Sequence, residues 1–97
     1  MKPTEQQLSD SLLNDDALFR CHLLDLFNCT INYYGYEFTE DEEKSLCKET
    51  IDFVYLKKDR FDPLKGKATF FFTTTMCCFI RHFYLKKNVY KRTNHGK

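Results

Sequence analysis

Apolar residues recur along the chain at three-to-four spacing between short polar stretches, and this rhythm predicts helices. Thr4 followed by Gln7 forms a capping box that opens a short helix reaching about Leu13. Asn14 is the expected cap of a second helix, with Asp15 and Asp16 favourable in its first turn. Its apolar stripe runs through Leu18, Cys21, Leu24, Phe27 or Asn28, and Ile31. The β-branched and aromatic residues at 30–34 weaken its end, and Gly35 can supply a left-handed stop. Thr39-Glu40-Asp41-Glu42 is a second capping box and the clearest helix start in the chain. The helix after it carries Leu46, Cys47, Thr50, Ile51, Val54 and Lys58 on one side. Pro63 disfavours a helical Asp62, so Arg60-Phe61-Asp62-Pro63 ends that helix and Leu64-Lys65-Gly66-Lys67 makes a turn.

Thr69 is the expected cap of a last long helix through about Lys87. Phe70, Thr74, Cys77, Arg81 and Tyr84 share one of its faces. Phe72, Met76, Phe79 or Ile80, and Phe83 share another. Residues 70–75 also have strong β propensity, so a strand is the alternative there. The tail from Asn88 is polar and basic and is expected to fray.

Length and composition fit this all-α picture of one small helical bundle. Ninety-seven residues make a single domain with one modest core. Three glycines and two prolines leave few breaks for a many-stranded sheet. The first residues hold acidic side chains and no continuous apolar run, which argues against a signal peptide. The longest near-apolar stretch, residues 70–83, is too short for a membrane span and contains Arg81.

Charge adds an asymmetry. Residues 1–56 hold four basic and twelve acidic side chains, a net of −8. Residues 57–97 hold eleven basic and two acidic ones, a net of +9. Such a division suits an acidic face for one partner and a basic face for another, often nucleic acid. It equally suits two halves that neutralise each other within the fold.

Cysteine and histidine change the picture little. The five cysteines (Cys21, Cys29, Cys47, Cys77 and Cys78) form no Cys-x-x-Cys pair and no even set. Buried, reduced thiols in a cytosol are the expectation. Cys78 with His82, and Cys21-His22 with Cys29, fall short of a four-ligand zinc spacing, so neither a metal nor a cofactor is expected. The sequence has no phosphate-cradling loop, nucleophile elbow or HExxH, so an enzyme is not expected either.

Residues 42–87 carry the most specific pattern. An acidic helix start leads through Ser45-Leu46-Cys47-Lys48-Glu49 to Arg60-Phe61-Asp62-Pro63 and Lys65-Gly66-Lys67. Thr69-Phe70-Phe71-Phe72-Thr73-Thr74 follows, then Cys78-Phe79-Ile80-Arg81 and Tyr84-Leu85-Lys86-Lys87. About half the chain thus resembles region 2 of bacterial sigma factors. In that region a core-binding helix leads to Phe-Asp-Pro-x-Lys-Gly and then to an aromatic-threonine helix. The nearest flavours are the late sigma factors of tailed phages and the extracytoplasmic-function type. The resemblance implies residues 1–38 as N-terminal helices and 39–87 as a core-binding and −10-recognition pair, with 88–97 a basic tail. Asp-Pro before Lys-Gly would reverse the chain, letting the two long helices pack antiparallel.

The resemblance also implies partners and residues. The first helix of the pair would bind the clamp helices of the largest subunit of core RNA polymerase, through Leu46, Lys48, Glu49, Asp52 and Tyr55. The second would recognise and open a −10-like promoter element. Phe70 best matches the ring that stacks on a flipped adenine, with Phe71 and Phe72 as one-residue alternatives. Lys65, Lys67, Arg81, Lys86, Lys87, Lys91 and Arg92 would meet promoter phosphates. Localisation would be cytoplasmic, in the host bacterium if phage-encoded, with no membrane partner.

The pattern departs from the family in three places. Thr73 and Thr74 stand where housekeeping sigma factors have tandem tryptophans, and Lys48 stands where glutamine is usual. Nothing resembles region 4, so a separate subunit would have to read upstream DNA. Two functions therefore stand side by side: a transcription initiation factor, and a sigma mimic that occupies the clamp helices and inhibits or redirects transcription. A helical protein in which the Phe-Asp-Pro turn is coincidental is the third reading.

Overall fold

A computed structural model describes the backbone of residues 2–95 and the side chains of residues 2–86. The described chain is all helical, with no strand among the described residues. The helices are α1 (Glu5–Asn14), α2 (Asp16–Tyr34), α3 (Glu40–Leu56) and α4 (Ala68–His95), with a single 3-10 turn at Lys58–Arg60. The β propensity of residues 70–75 is overridden, because Phe72 and Met76 must enter the core from a helix face.

Local chemistry sets most boundaries. Both capping boxes form: Thr4 with Gln7 opens α1, and Thr39 with Glu42 opens α3. Asp15, not Asn14, caps α2, its carboxylate accepting from the Leu18 amide at 3.1 Å. Asn14 instead closes α1, leaving a one-residue joint between the helices. Gly35 ends α2 at φ 68°, the left-handed conformation that a side chain would strain. At Asp62 the carboxylate accepts from the Leu64 amide at 2.9 Å, and its carbonyl accepts from Lys65. These two bonds fix the chain between α3 and α4. α4 continues to His95 rather than stopping near Lys87, since residues 88–95 contain neither glycine nor proline.

The core gathers Leu8 from α1, Phe19, Leu23, Leu26, Phe27 and Ile31 from α2, Leu46 and Val54 from α3, and Ala68, Phe72, Met76 and Ile80 from α4. Phe19 meets Phe72 edge-on at 5.2 Å between ring centroids, tying α2 to α4 at the centre. The stripes expected on α3 and α4 agree with this core. The α2 stripe agrees at Phe27 and Ile31 but not in its first half, where Leu18, Cys21 and Leu24 lie exposed and Phe19, Leu23 and Leu26 are buried. α2 is apolar on two adjacent stripes, and the one bearing the large Phe19 ring removes more surface from water.

Two contacts distant in sequence complete the fold. Glu5, at the start of α1, accepts from the Ala68 and Thr69 amides at 2.6 and 2.8 Å and from the Thr69 hydroxyl at 2.9 Å. The start of α4 is thus capped by another helix, and Thr69 serves as donor rather than as the cap itself. The 36–38 connection lays Tyr36 against Tyr84 at 4.9 Å and Phe38 against Phe83 at 6.0 Å. Further along, Phe53 meets Phe79 at 4.8 Å and Phe61 meets Phe71 at 5.5 Å. No helix among the described residues is long and apolar enough to cross a membrane.

Candidate functional site

The segment joining α3 to α4 concentrates cations and leads to an exposed ring at the start of α4. Arg60 closes the 3-10 turn, the Asp62 hydrogen bonds hold the bend, and Lys65 and Lys67 lead into α4. Phe70 follows on the outer face of α4 and is 71% exposed, although it is a large apolar side chain. The Glu5 cap fixes the first turn of α4 and therefore the direction in which Phe70 projects. A cleft of about 360 Å³ lies here, lined by Arg60, Asp62, Lys65, Lys67, Phe70 and Phe71 among others. Among the described residues none of Arg60, Lys65 and Lys67 takes part in an ion pair. An exposed aromatic face in a cleft that also holds three cations and Asp62 can stack a planar base and neutralise its phosphates.

The other expected DNA contacts divide. Arg81 and Lys86 are exposed on α4. Phe71 is half-buried between Phe61 at 5.5 Å and Phe72 at 5.0 Å, and Phe72 is fully buried, so these two rings belong to packing. Of the three phenylalanines only Phe70 presents its face to solvent. The side chains of Lys87, Lys91 and Arg92 lie outside the described residues.

Along α3 the expected polymerase-facing set also separates. Lys48 and Glu49 are exposed. Leu46 is fully buried, so it is a core residue and not a contact residue; its helix position turns it toward the bundle centre. Asp52 is exposed and approaches Arg20 at 3.9 Å. Tyr55 is engaged within the fold: its hydroxyl donates to Asp16 at 2.5 Å, and Arg20 and Lys58 each lie 4.1 Å from its ring centre. Lys58 also reaches Asp16 at 3.5 Å. The Tyr55 hydrogen bond, with Lys58 and Arg20 beside it, holds the Asp16 carboxyl below its usual value. The same tyrosine raises the Lys58 ammonium, and Asp16 adds to that. This cluster latches α2 to the end of α3, and long-range partners gave no sequence signal for it.

Thiols and histidines occupy other places. Cys21 and Cys78 are exposed and Cys29, Cys47 and Cys77 half-exposed, so the expectation of buried thiols is corrected. Cys21 follows the misassigned α2 stripe, and Cys78 lies on the solvent side of α4. Burial, helped by Glu43, pushes the Cys47 thiol up and disfavours its thiolate. Among the described residues no three His, Cys, Asp or Glu side chains converge as a metal site would require. Ser11 lies 3.0 Å from His22 Nδ1, yet Ser11 is only 2% exposed, so the pair links α1 to α2 and offers no open nucleophile.

The chain was compared with protein-family models, with curated proteins and with solved structures, and none matches. What the site can do rests on its own side chains. The α3–α4 bend supplies the exposed ring and the cations beside it, and the outer face of α3 supplies Lys48 and Glu49 about two turns away along the helix from the latch.

Proposed function

We propose that the protein is a sigma-like transcription initiation factor that binds core RNA polymerase through the outer face of α3 and holds an unpaired promoter base at Phe70. In this reading α3 and α4 are an antiparallel pair joined by the Phe61-Asp62-Pro63-Leu64-Lys65-Gly66 bend. Phe38 just before α3 meets Phe83, Phe53 within α3 meets Phe79, and Phe61 after α3 meets Phe71, so the α4 partner number falls as the chain advances through α3, which supports that direction. The observation that carries the function is Phe70. A bundle this small gains by burying a phenylalanine, and leaving this one 71% exposed beside Arg60, Lys65 and Lys67 suits a site that receives a ring from outside. Stacking one base there is worth roughly 1–3 kcal/mol. Lys48 and Glu49 stand open for the polymerase coiled coil, while Asp52 lies at the edge of the same face.

The test has two arms. Core bacterial RNA polymerase should retain the wild-type protein in a pull-down, and Glu49→Lys should lose retention by about tenfold or more. Phe70→Ala should keep polymerase retention and abolish opening of a promoter, read by permanganate reactivity of unpaired thymines. Retention with no opening by the wild type would instead assign the sigma-mimic role. No retention of the wild type at moderate salt would sink both.

A further inference from the structure

Phe70 forms a wall of two clefts. On one side is the cationic cleft at the bend, and on the other a cleft of about 440 Å³ that runs over Thr74 to Tyr34 and Lys2. Tyr34 and Lys2 also line the next cleft, of about 270 Å³, which ends at Tyr33. The three clefts therefore adjoin, from the α3–α4 bend across α4 to the last turn of α2. At the far end Tyr33 is 82% and Tyr34 55% exposed, packed edge to face at 4.9 Å. Tyr34 also interacts with Cys77 across on α4, and both tyrosines still leave much of their surface in water. Tyr36, behind Tyr34 at 5.9 Å and against Tyr84 at 4.9 Å, braces the pair from the loop.

Charge says what kind of occupant fits. The first 56 residues carry twelve acidic side chains, yet no acidic residue is among those described lining either cleft between α2 and α4. The one charged residue described there is Lys2. A lining that holds no acidic residue, with the one nearby carboxylate, Glu5, engaged by Thr69, and with exposed rings at both ends suits a polyanion carrying planar groups. An apolar protein helix would ask for aliphatic side chains, and Leu26 is the one leucine in the lining.

We propose that Tyr33 and Tyr34 form a second stacking platform, so that a single strand held at Phe70 continues across α4 onto the end of α2. This rests on the nucleic-acid half of the proposed function and gives the N-terminal helices a part in it. A strand of about twelve nucleotides is within the span that aromatic tracks of this kind cover.

The test uses the full chain and a fluorescent oligothymidylate of about twelve nucleotides at low salt, followed by anisotropy. The Tyr33→Ala, Tyr34→Ala double variant should bind roughly tenfold or more weakly, and the Tyr33→Phe, Tyr34→Phe variant should bind like wild type. A melting temperature of the alanine double variant close to that of wild type separates lost stacking from lost fold, and the phenylalanine variant shows that the rings and not the hydroxyls carry the binding. 5-Iodouracil placed along the strand should crosslink to Tyr33 or Tyr34 as well as to Phe70. Loss of binding in Phe70→Ala with none in the alanine double variant would overturn the second platform and leave the proposed function standing. No binding by the wild type would overturn the platform and the base-holding role together, while the polymerase pull-down would still report on α3. An alanine double variant that binds the oligonucleotide normally but loses core polymerase would make the tyrosine pair a protein-docking surface and overturn the inference.

Discussion

Thr50 is fully buried on α3, and its hydroxyl has no hydrogen-bond partner among the described residues. Thr30 and Thr75, on neighbouring helices, return their hydroxyls to the carbonyls of Leu26 and Phe71 at 2.8 Å. An unpaired buried hydroxyl loses its water without compensation. Valine has the same shape and β-branch without the polar atom, so Thr50→Val should stabilise the fold by roughly 1 kcal/mol. For a domain of this size that raises the melting temperature by about 4–8 °C, readable by circular dichroism. A fall in melting temperature would mean that the hydroxyl has a partner in solution. Phe72 is the opposite case: it is fully buried and contacts Phe19, Phe61 and Phe71, so Phe72→Ala should cost about 3–5 kcal/mol and threaten the fold. Phe70, two residues earlier, is largely free of packing, and Phe70→Ala should leave the melting temperature nearly unchanged. The contrast between these neighbours separates a ring outside the core from a ring inside it without any partner present.

At the scale of elements, α4 begins on a carboxylate supplied by α1. Burial alone would raise the Glu5 carboxyl, but hydrogen bonds from the Thr69 and Ala68 amides, with the Thr69 and Ser9 hydroxyls, outweigh it and hold the group below its usual 4.5. A carboxyl lowered by folding contributes stability that is present above its unfolded value and lost as pH falls through the folded one. Glu5→Gln should therefore lower stability by about 1–2 kcal/mol at neutral pH and flatten the acid decline below about pH 4.5, both read from denaturant melts. An unchanged acid profile would remove Glu5 from the cap. This joint also marks the limit of what the sequence discloses. Thr4-Gln7, Thr39-Glu42 and Gly35 act within four residues of themselves, so their helix ends were legible, whereas α3 stops at Leu56, ahead of the end expected at Arg60-Phe61-Asp62-Pro63, and Lys58 falls in a 3-10 turn. The α3 and α4 stripes were legible because each has one apolar side. Glu5 caps a helix more than sixty positions away, and Tyr55 is held by Asp16 and Arg20 from another helix. No local spacing encodes such partners. The stripe on α2 was right at Phe27 and Ile31 and wrong at Leu18, Cys21 and Leu24 for a related reason: with three helices around it, periodicity alone does not choose between two apolar sides. In the candidate site, the resemblance singled out Phe70 and the lysines, and Phe70, Lys65 and Lys67 are indeed exposed, whereas no spacing singled out the exposed Tyr33 and Tyr34.

Across the whole molecule, the acidic and basic halves are partly reconciled inside the fold, through the Lys58–Asp16 pair and the Glu5 cap on α4. The cations at the bend are not drawn into that settlement: Arg60, Lys65 and Lys67 are exposed, and no ion pair among the described residues includes them. If they meet phosphates, each one neutralised releases counterions, and the affinity for a single strand falls with salt at a slope of about −0.7 per contact. Three contacts at the bend give a slope of about −2 in log affinity against log salt, and Lys65→Gln with Lys67→Gln should reduce it to about −0.7. Phe70→Ala should weaken binding at every salt concentration and leave the slope alone, because stacking releases no counterions. The pair of titrations thus divides the cleft into its electrostatic and stacking parts. A slope unmoved by the lysine variants would shift the phosphate track to Arg81 and Lys86 farther along α4, while a slope changed by Phe70→Ala would mean that the ring sets the path of the backbone and not only the seat of one base.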